Sequence, residues 1–245
     1  MKTVKFVFSL VVLVVMASAC VKDPIDPEPE QDPISSFSVL GDSYSAFKGY
    51  VDPETNDPWS DYEKIGVTGP EQMWWYQLAE ETGWTMDKNN SFSGSLICNH
   101  NVEYYAKHSF IRRMEGLGNP DVIFVFGGTN DAFKEAPLGD YVYADWTEDQ
   151  LCMFRPGLAY LLDHLKQQHP KAAVYLLVDM DLCSGGVDEA IRDSFIESMH
   201  QVAEHYGVTC IDLYKIHKKW WHPNAQGQQD IAKQVLKVVM PKPNA

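Results

Sequence analysis

The sequence has few basic residues. Its 20 Lys and Arg stand against 34 Asp and Glu, which gives a formal net charge of -14 over 245 residues. The acidic excess is spread along the chain rather than gathered in a tail. Nucleic acids and anionic membrane surfaces bind clustered Lys and Arg. We therefore expect neither to be a main partner of this protein.

Metal-binding patterns are also missing. No two of the five cysteines have Cys-x-x-Cys spacing, which disfavours a zinc knuckle and a thioredoxin-like redox site. The histidines show no ligand spacing either, so we expect no metal ion and no cofactor. Beyond Cys20, the residues Cys98, Cys152, Cys183 and Cys210 allow three full disulfide pairings, between which the sequence does not choose.

Long apolar runs are missing apart from one at the N-terminus. Residues 6–16 follow Lys2 and Lys5 and are too short to cross a bilayer as a helix. A basic start, a short apolar run and a small-residue end are typical of a secretory signal. We predict that residues 1–19 are such a signal peptide and that the protein works outside the cytoplasm.

The end of this signal, Ala17-Ser18-Ala19-Cys20, resembles the lipobox of bacterial lipoproteins, whose cysteine is diacylated and becomes the mature N-terminus. Ala17 stands where that pattern prefers Leu, and an ordinary cleaved signal is the alternative. Residues 20–35 are rich in Pro, Asp and Glu and cannot bury apolar surface, which predicts an extended tether. We expect a lipoprotein held to a membrane through Cys20. The sequence does not indicate whether the anchor lies on the periplasmic or the surface face.

Residues 36–245 show short apolar segments alternating with helical patterns. Predicted strands cover residues 37–40, 84–86, 121–126, 173–178 and 208–213, and predicted helices cover residues 71–82, 102–116, 149–168, 188–205 and the stretch from His222 onward. The third strand is apolar on both faces, as parallel sheets require. The alternation predicts one α/β domain with a five-stranded parallel sheet and helices on both faces.

The first strand breaks abruptly into Gly41-Asp42-Ser43, and polar clusters also follow the second and third strands. Gly, Asp and Ser each favour turns for local backbone reasons, so a purely structural turn is the alternative interpretation. Ligands of parallel sheets bind at the carboxyl ends of the strands, where all three clusters are expected to lie.

Ester hydrolysis requires a nucleophilic oxygen, a neutral base beside it and donors for the negative oxygen of the tetrahedral intermediate. Ser43 offers a hydroxyl and a backbone N–H. Gly94 offers a second backbone N–H, and Asn130 offers a side-chain amide. His222 precedes the last predicted helix, whose dipole disfavours a protonated ring. His-Pro at a helix start is the structural alternative for this histidine.

Four blocks of the chain resemble, in order and spacing, those of the SGNH (GDSL-type) hydrolases. They are Gly41-Asp42-Ser43-Tyr44-Ser45, Ser93-Gly94-Ser95, Gly128-Thr129-Asn130-Asp131 and His222-Pro223-Asn224-Ala225-Gln226-Gly227. The resemblance covers roughly residues 36–240 and implies a flavodoxin-like three-layer α/β/α fold that hydrolyses esters without a metal. It implies Ser43 as nucleophile and His222 as base. Gly94 and Asn130 would join the Ser43 N–H as oxyanion donors.

The chain departs from this family at one position. The family usually places an Asp three residues before the histidine, where this chain has Lys219. Asp181, expected beside the site at the end of the fourth strand, is our first candidate for the missing acid. Asp179, Asp212 and a backbone carbonyl are the alternatives.

Aromatic residues flank the predicted nucleophile and base. Tyr44, Trp220 and Trp221 are predicted to form the walls of an acyl or sugar pocket, although core packing explains one of the tryptophans equally well. Three aromatics of the long loop 46–70 form a further sugar-stacking hypothesis: Tyr50, Trp59 and Tyr62.

These features predict a lipid-anchored extracytoplasmic serine esterase. Its expected substrate is an acyl ester, acetyl in the first place, on carbohydrate, because an anchored, acidic, aromatic-rich protein suits glycan better than bulk lipid. The resemblance implies the same, since loop-rich extracytoplasmic members of the family often deacylate glycans. A glycan-binding lipoprotein that has lost turnover is the first alternative, and Lys219 is the feature that favours it. A lysophospholipase or thioesterase shares the chemistry and is the second alternative.

Overall fold

The computed structural model describes residues 33–51, 61–183 and 186–240, apart from the side chain of residue 105. The predictions for the signal peptide, Cys20, Trp59 and most of the tether 20–35 lie outside the described residues. Every element below belongs to the compact unit Ile34–Ala245. Within the described part of the chain, no helix is long and apolar enough to cross a membrane.

The core of the fold is one parallel five-stranded sheet in the order β2-β1-β3-β4-β5. Its strands are β1 (Ser36–Gly41), β2 (Thr85–Ser91), β3 (Val122–Phe126), β4 (Ala173–Asp179) and β5 (Thr209–Leu213). The α-helices are α1 (Trp74–Thr82), α2 (Glu103–His108), α3 (Phe110–Arg113), α4 (Thr129–Phe133), α5 (Phe154–Gln168), α6 (Glu189–Tyr206) and α7 (Ala225–Val239). The strand order is that of flavodoxin-like sheets, and the prediction of a five-stranded parallel sheet is confirmed.

Helices cover both faces of the sheet, so each face has its own apolar core. One core packs α5 and α6 against the sheet, and the other packs α1 and α7 against the opposite face. Alternate residues of a strand point to opposite faces. In β3, accordingly, Ile123 and Val125 enter the first core while Phe124 and Phe126 enter the second. The predicted three-layer α/β/α arrangement is therefore confirmed.

The strand register brings the predicted site residues to one edge. Gly41, the last residue of β1, pairs with Ser91 at the end of β2 and with Phe126 at the end of β3. The turns that follow these three strands therefore begin side by side. All three belong to the carboxyl edge, where parallel sheets place their ligands.

Strand β2 is longer than the sequence indicates. The polar cluster predicted to follow a strand ending at residue 86 includes Asn89, Asn90 and Ser91, but these residues complete the strand and are buried. The Asn89 amide donates to the carbonyl of Ser45 at 3.0 Å, and the Asn90 amide donates to the carbonyl of Arg113 at 2.6 Å. Buried polar groups with hydrogen-bond partners are tolerated inside a domain, and the turn starts only at residue 92.

Two predicted helices are each broken in two. Ser109 separates α2 from α3, and its hydroxyl accepts the N–H of Arg112 as an N-cap. Met153 separates α5 from a preceding 3-10 helix, Gln150–Cys152. The first N–H groups of α5 donate to the carbonyls of residues 137 and 138, which holds the break in place. Contacts distant in sequence thus decide where both helices begin.

The last helix begins three residues later than predicted. Lys218–Lys219 (β6) and His222–Pro223 (β7) form a two-stranded antiparallel hairpin in which Lys219 pairs with His222. Asn224 then caps α7 by accepting the N–H of Gly227 at 2.9 Å. His222 therefore lies on a hairpin and not at the start of a helix.

The four described cysteines are all free, so the structure contains none of the three disulfide pairings that the sequence allows among them. Among the described residues, no group of three His, Cys, Asp or Glu side chains is arranged to hold a metal ion.

Candidate active site

Ser43 and His222 meet at the carboxyl edge of the sheet. Ser43 lies in the tight turn after β1, in which the N–H groups of Ser45 and Ala46 both donate to the carbonyl of Asp42 at 3.1 Å. The Ser43 Oγ lies 3.0 Å from Nε2 of His222, although 179 positions separate the two residues. This is the distance expected between a nucleophile and its general base.

The His222 ring is partly buried between the hairpin and the first turn. The ring of Tyr44 meets it edge-on at a centroid distance of 5.5 Å, and the Tyr44 hydroxyl donates to the carbonyl of Trp221. Burial lowers the pKa of His222 to about 4, the Asp61 carboxylate raises it, and the Lys218 ammonium lowers it further. The ring is therefore neutral at pH 7, as a base must be, and burial rather than the helix dipole is the main cause.

Gly94 and Asn130 lie on the neighbouring turns. Gly94 has a φ of +77°, a left-handed conformation that favours glycine, and a Cβ added there would meet nothing within 4 Å. The Asn130 amide donates to the carbonyl of Ser95 at 3.0 Å, which ties α4 to the turn containing Gly94. The carboxylate of Asp131 strengthens this tie by accepting the N–H of Ile97 at 2.9 Å.

Asp42 is a buried carboxyl directly before Ser43. Its Oδ1 accepts the N–H of Tyr44 at 2.9 Å, and its Oδ2 accepts the amide of Asn130 at 3.3 Å. Burial raises the pKa of Asp42 to about 7, against the lowering effect of the Tyr44 N–H. Asp42 is part of the Gly41-Asp42-Ser43 motif, but its contact with Asn130 is formed only by the fold.

None of the predicted carboxylates orients the His222 ring. Asp181 makes no side-chain hydrogen bond to it; its backbone N–H donates to Asp179 at 3.1 Å. Asp179 Oδ2 accepts a hydrogen bond from the Lys218 ammonium at 2.5 Å, and Asp212 Oδ1 lies 2.7 Å from Nε2 of His200. The structure therefore corrects the assignment of Asp181, because the end of β4 is occupied by an ion pair with the hairpin.

Lys219, at the position where the family usually has an acid, points away from the imidazole. Its ammonium donates to the carbonyl of Lys64 at 2.7 Å, in the 3-10 helix Tyr62–Ile65. Asp61 directly precedes that helix, and its charge opposes the lowering of the His222 pKa by burial. No local pattern in the sequence links Asp61 to His222, because 161 positions separate the two residues.

The predicted substrate-binding aromatics divide into buried and exposed residues. Tyr44 is 1% exposed and packs beneath the histidine, so it does not form a pocket wall. Trp221 is 38% exposed and lines a cleft of about 320 Å³ that also contains Gly94 and Asn130. Trp220 is exposed but does not line this cleft.

The cleft has an aromatic wall that the sequence did not indicate. Phe133, on α4, packs against Trp221 at a centroid distance of 5.3 Å, and Tyr104 also lines the cleft. A larger cavity of about 640 Å³ runs beside β2 and contains none of the four predicted catalytic groups. The cleft next to Gly94 is therefore the site that the chemistry favours.

The loop aromatics also differ from the stacking hypothesis. Tyr62 is buried, and its hydroxyl donates to the carbonyl of Ser43, which fastens the loop to the turn after β1. Tyr50 is exposed on one side and packs against Trp75 at a centroid distance of 5.3 Å.

Comparison with known proteins gives a consistent assignment. The family model described as GDSL-like Lipase/Acylhydrolase matches residues 35–239. A protein named as a GDSL-like lipase from Bacteroides ovatus ATCC 8483 has a crystal structure with a TM-score of 0.77 and 40% identity, covering 86% of this chain and 100% of its own. A counterpart from Bacteroides uniformis ATCC 8492 has a TM-score of 0.75 and 41% identity, covering 85% of this chain and 97% of its own.

A more distant structure, of a carbohydrate esterase whose active site is described as having divergent catalytic and non-catalytic binding functions, has a TM-score of 0.59 and 19% identity. It covers 85% of this chain and 69% of its own, and at that identity it shares the fold alone. No curated protein sequence matches this chain. The family model and the two Bacteroides structures show that this chain belongs to the GDSL-like lipases and acylhydrolases, hydrolases that act on ester bonds.

Proposed function

We propose that this protein is a serine esterase whose preferred substrates are short acyl esters, acetyl above all, carried on carbohydrate. The observation that supports it most is the 3.0 Å distance between Ser43 Oγ and His222 Nε2 at the carboxyl edge of the sheet. A neutral imidazole at hydrogen-bond distance from a serine hydroxyl is the arrangement that activates that hydroxyl.

The proposed reaction is a double displacement. Ser43 Oγ bonds to the ester carbonyl carbon while its proton passes to Nε2 of His222. The tetrahedral oxyanion accepts hydrogen bonds from the N–H groups of Ser43 and Gly94 and from the Asn130 amide. One N–H of that amide must then leave its present acceptor, the Ser95 carbonyl at 3.0 Å or the Asp42 carboxyl at 3.3 Å. When the C–O bond of the ester breaks, the imidazolium returns the proton to the leaving alcohol. Water then attacks the acyl-serine while His222 takes its proton. When the bond between the acyl carbon and Ser43 Oγ breaks, the imidazolium returns that proton to Oγ and the carboxylic acid leaves.

The shape of the cleft supports a sugar ester. A volume of about 320 Å³ is at the small end for a ligand site, and the wall formed by Phe133 and Trp221 offers aromatic faces next to the predicted oxyanion donors. An acetyl group and one sugar ring match that size better than a long acyl chain. The carbohydrate esterase in the comparison shares only the fold, so the sugar preference rests on this cleft.

Purified protein assayed on acetyl, butyryl and palmitoyl esters of one alcohol tests this proposal. We expect kcat/KM to be highest for acetyl, and Ser43→Ala to lower kcat by about 10⁴-fold or more. Activity unchanged in Ser43→Ala would refute the nucleophile. A maximum at palmitoyl would instead support the lysophospholipase alternative.

The glycan-binding alternative remains tied to Lys219, which points to Lys64 instead of the histidine. Isothermal titration with acetylated oligosaccharides distinguishes the two functions. Binding without any turnover of the bound ester would support the alternative, whereas release of acetate from the same oligosaccharide supports the esterase.

The membrane anchor is a separate proposal that rests on the motif ending at Cys20. We expect mass spectrometry of the mature N-terminal peptide to find a diacylated cysteine, and Cys20→Ser to move the protein from the membrane fraction to the soluble fraction. An unmodified Cys20 in the mature protein would contradict the proposal.

A further inference from the structure

Arg113 is a buried cation that the proposed reaction does not use directly. It is the last residue of α3, and only 7% of its surface is exposed. Burying a guanidinium is costly unless its donors are satisfied. The groups that satisfy these donors therefore show what the residue holds together.

The donors of Arg113 reach the ends of two strands and the turn that follows them. Nη2 donates to the carbonyl of Gly41 at 3.0 Å and to the hydroxyl of Ser95 at 3.0 Å. Nη1 donates to both oxygens of Asn90, the side-chain oxygen lying at 3.1 Å. Nε donates to the carbonyl of His108 at 2.9 Å. One side chain thus connects the ends of β1 and β2 with the turn after β2.

These acceptors are neighbours of the three proposed oxyanion donors. Gly41 lies two residues before Ser43, and Ser95 directly follows Gly94. The carbonyl of Ser95 in turn accepts the Asn130 amide at 3.0 Å. Displacing Ser95 would therefore move both the Gly94 N–H and the carbonyl that aims Asn130.

The chemistry of the contact requires arginine. Lysine has three donors on one atom, whereas the planar guanidinium has five donors in a fixed fork that reaches separated acceptors. The hydroxyl of Ser95 is held from both sides, because it accepts from Arg113 and donates to the carbonyl of Phe92 at 2.8 Å. The guanidinium and the Phe92 carbonyl together therefore fix the position of this hydroxyl.

We propose that Arg113 is the positioning residue of the oxyanion hole, fixing the Ser43 and Gly94 N–H groups and the Asn130 amide relative to one another. This inference rests on the proposed function. It adds a residue that touches neither the substrate nor the reacting atoms and acts through Gly41 and Ser95. Misplaced oxyanion donors weaken transition-state binding more than substrate binding.

Arg113→Lys tests the inference, with Arg155→Met as the matched control. Arg155 also donates into the protein, to the Ser198 hydroxyl at 2.9 Å and the Gly139 carbonyl at 3.0 Å, but neither of these acceptors belongs to the turns after β1 and β2. Both variants are assayed on an acetyl ester well below their unfolding temperatures. Affinity is also measured for an alkyl boronic acid, which forms a tetrahedral anionic adduct with an active-site serine.

We expect Arg113→Lys to lower kcat by about 10- to 100-fold with KM within about threefold, and to weaken boronate binding by a similar factor. Arg155→Met should leave both values within about twofold, whatever stability it loses. Unchanged kcat and unchanged boronate affinity in a folded Arg113→Lys protein would overturn the inference.

Ser95→Ala provides a second test if Arg113→Lys does not fold, because it keeps the guanidinium and removes only its hydroxyl acceptor. The same loss in kcat, without a change in KM, is expected, and full activity would overturn the inference. Failure of the proposed function would appear differently, as activity that persists in Ser43→Ala. An inactive Ser43→Ala beside a fully active Arg113→Lys would refute the positioning role alone.

Discussion

At the scale of single residues, the carboxyl of Asp42 shows how the turn after β1 does more than expose a hydroxyl. Its two oxygens accept from the Tyr44 N–H and from the Asn130 amide, so it links the turn containing Ser43 to α4. A Gly-Asp-Ser turn is recognisable in the sequence. The contact of Asp42 with the Asn130 amide is not recognisable there, because 88 positions separate the two residues.

Asp42→Asn is predicted to misorient Asn130. The new side chain can still accept from the Tyr44 N–H through its oxygen, but its NH₂ group then faces the NH₂ group of Asn130. We expect kcat to fall by about 10- to 100-fold with little change in KM. Asp121→Asn is the control, because Asp121 accepts the N–H of Ser35 at 2.8 Å at the opposite edge of the sheet. Equal activity of Asp42→Asn and the wild-type protein would contradict this role.

The pH dependence of kcat/KM is predicted from His222. Burial lowers the pKa of His222 to about 4, so the ring stays neutral, and a competent base, until the pH falls through about 4. The acid limb, which is the fall of kcat/KM on the low-pH side of its pH profile, should therefore lie well below pH 6.5. Burial raises the pKa of Asp42 to about 7, so titration of Asp42 is a second source of pH dependence, near pH 7. Asp42→Asn removes that titration, and the fall in kcat/KM that persists in this variant is the one assigned to His222.

Each sample in this pH series is returned to pH 7 and assayed again, which separates protonation from unfolding. A single acid limb near pH 6.5 in both proteins would mean that the imidazole is not shielded from water as the structure describes.

At the scale of elements, the hairpin β6–β7 sets the position of His222, the proposed base. Lys218 and Asp179 form an ion pair at 2.5 Å with side chains 7% and 1% exposed, and the Lys218 ammonium also donates to the carbonyl of Asp181 at 2.7 Å. The pair attaches the hairpin to the end of β4. It takes the place at which the sequence had suggested a carboxylate for the imidazole.

Lys218→Met is predicted to destabilise the fold by about 3–5 kcal/mol, because it leaves the Asp179 carboxylate buried without its cation. The double variant Lys218→Met with Asp179→Leu should recover most of that loss, since no buried charge then remains. Denaturant unfolding measures both free energies. Equal losses in the single and double variants would contradict the buried ion pair.

The same variant gives an electrostatic prediction. Because the Lys218 ammonium lowers the pKa of His222, its removal should shift the acid limb of kcat/KM to higher pH. A limb that does not move, or that moves to lower pH, would show that this charge does not act on the imidazole.

Some element boundaries were predictable and others were not. Strands β3 and β4 were recognised because continuous apolar runs mark strands buried on both faces. The end of β2 was missed because Asn89 and Asn90 are polar, and only their partners on other segments allow them to be buried. The breaks at Ser109 and Met153 likewise depend on contacts that no local pattern encodes.

At the scale of the whole molecule, alternating strands and helices predicted the three-layer fold, and the fold places the four motifs on one edge of the sheet. Ser43, Gly94, Asn130 and His222 were identifiable because each lies in a short motif at the end of an element. Arg113 and Lys218 were not, because their roles consist of contacts with several segments at once. Local motifs thus point to the proposed reacting groups, and the tertiary structure points to the groups proposed to position them.

The central claim is that Ser43 is activated by His222, and covalent labelling with a fluorophosphonate tests it most directly. Intact-mass and peptide mass spectrometry of the wild-type protein, Ser43→Ala and His222→Ala identify the modified residue and its rate of modification. We predict one adduct, on Ser43, that is absent from Ser43→Ala and forms at least about 100-fold more slowly in His222→Ala. An unlabelled wild-type protein, or labelling at the same rate without His222, would contradict the account.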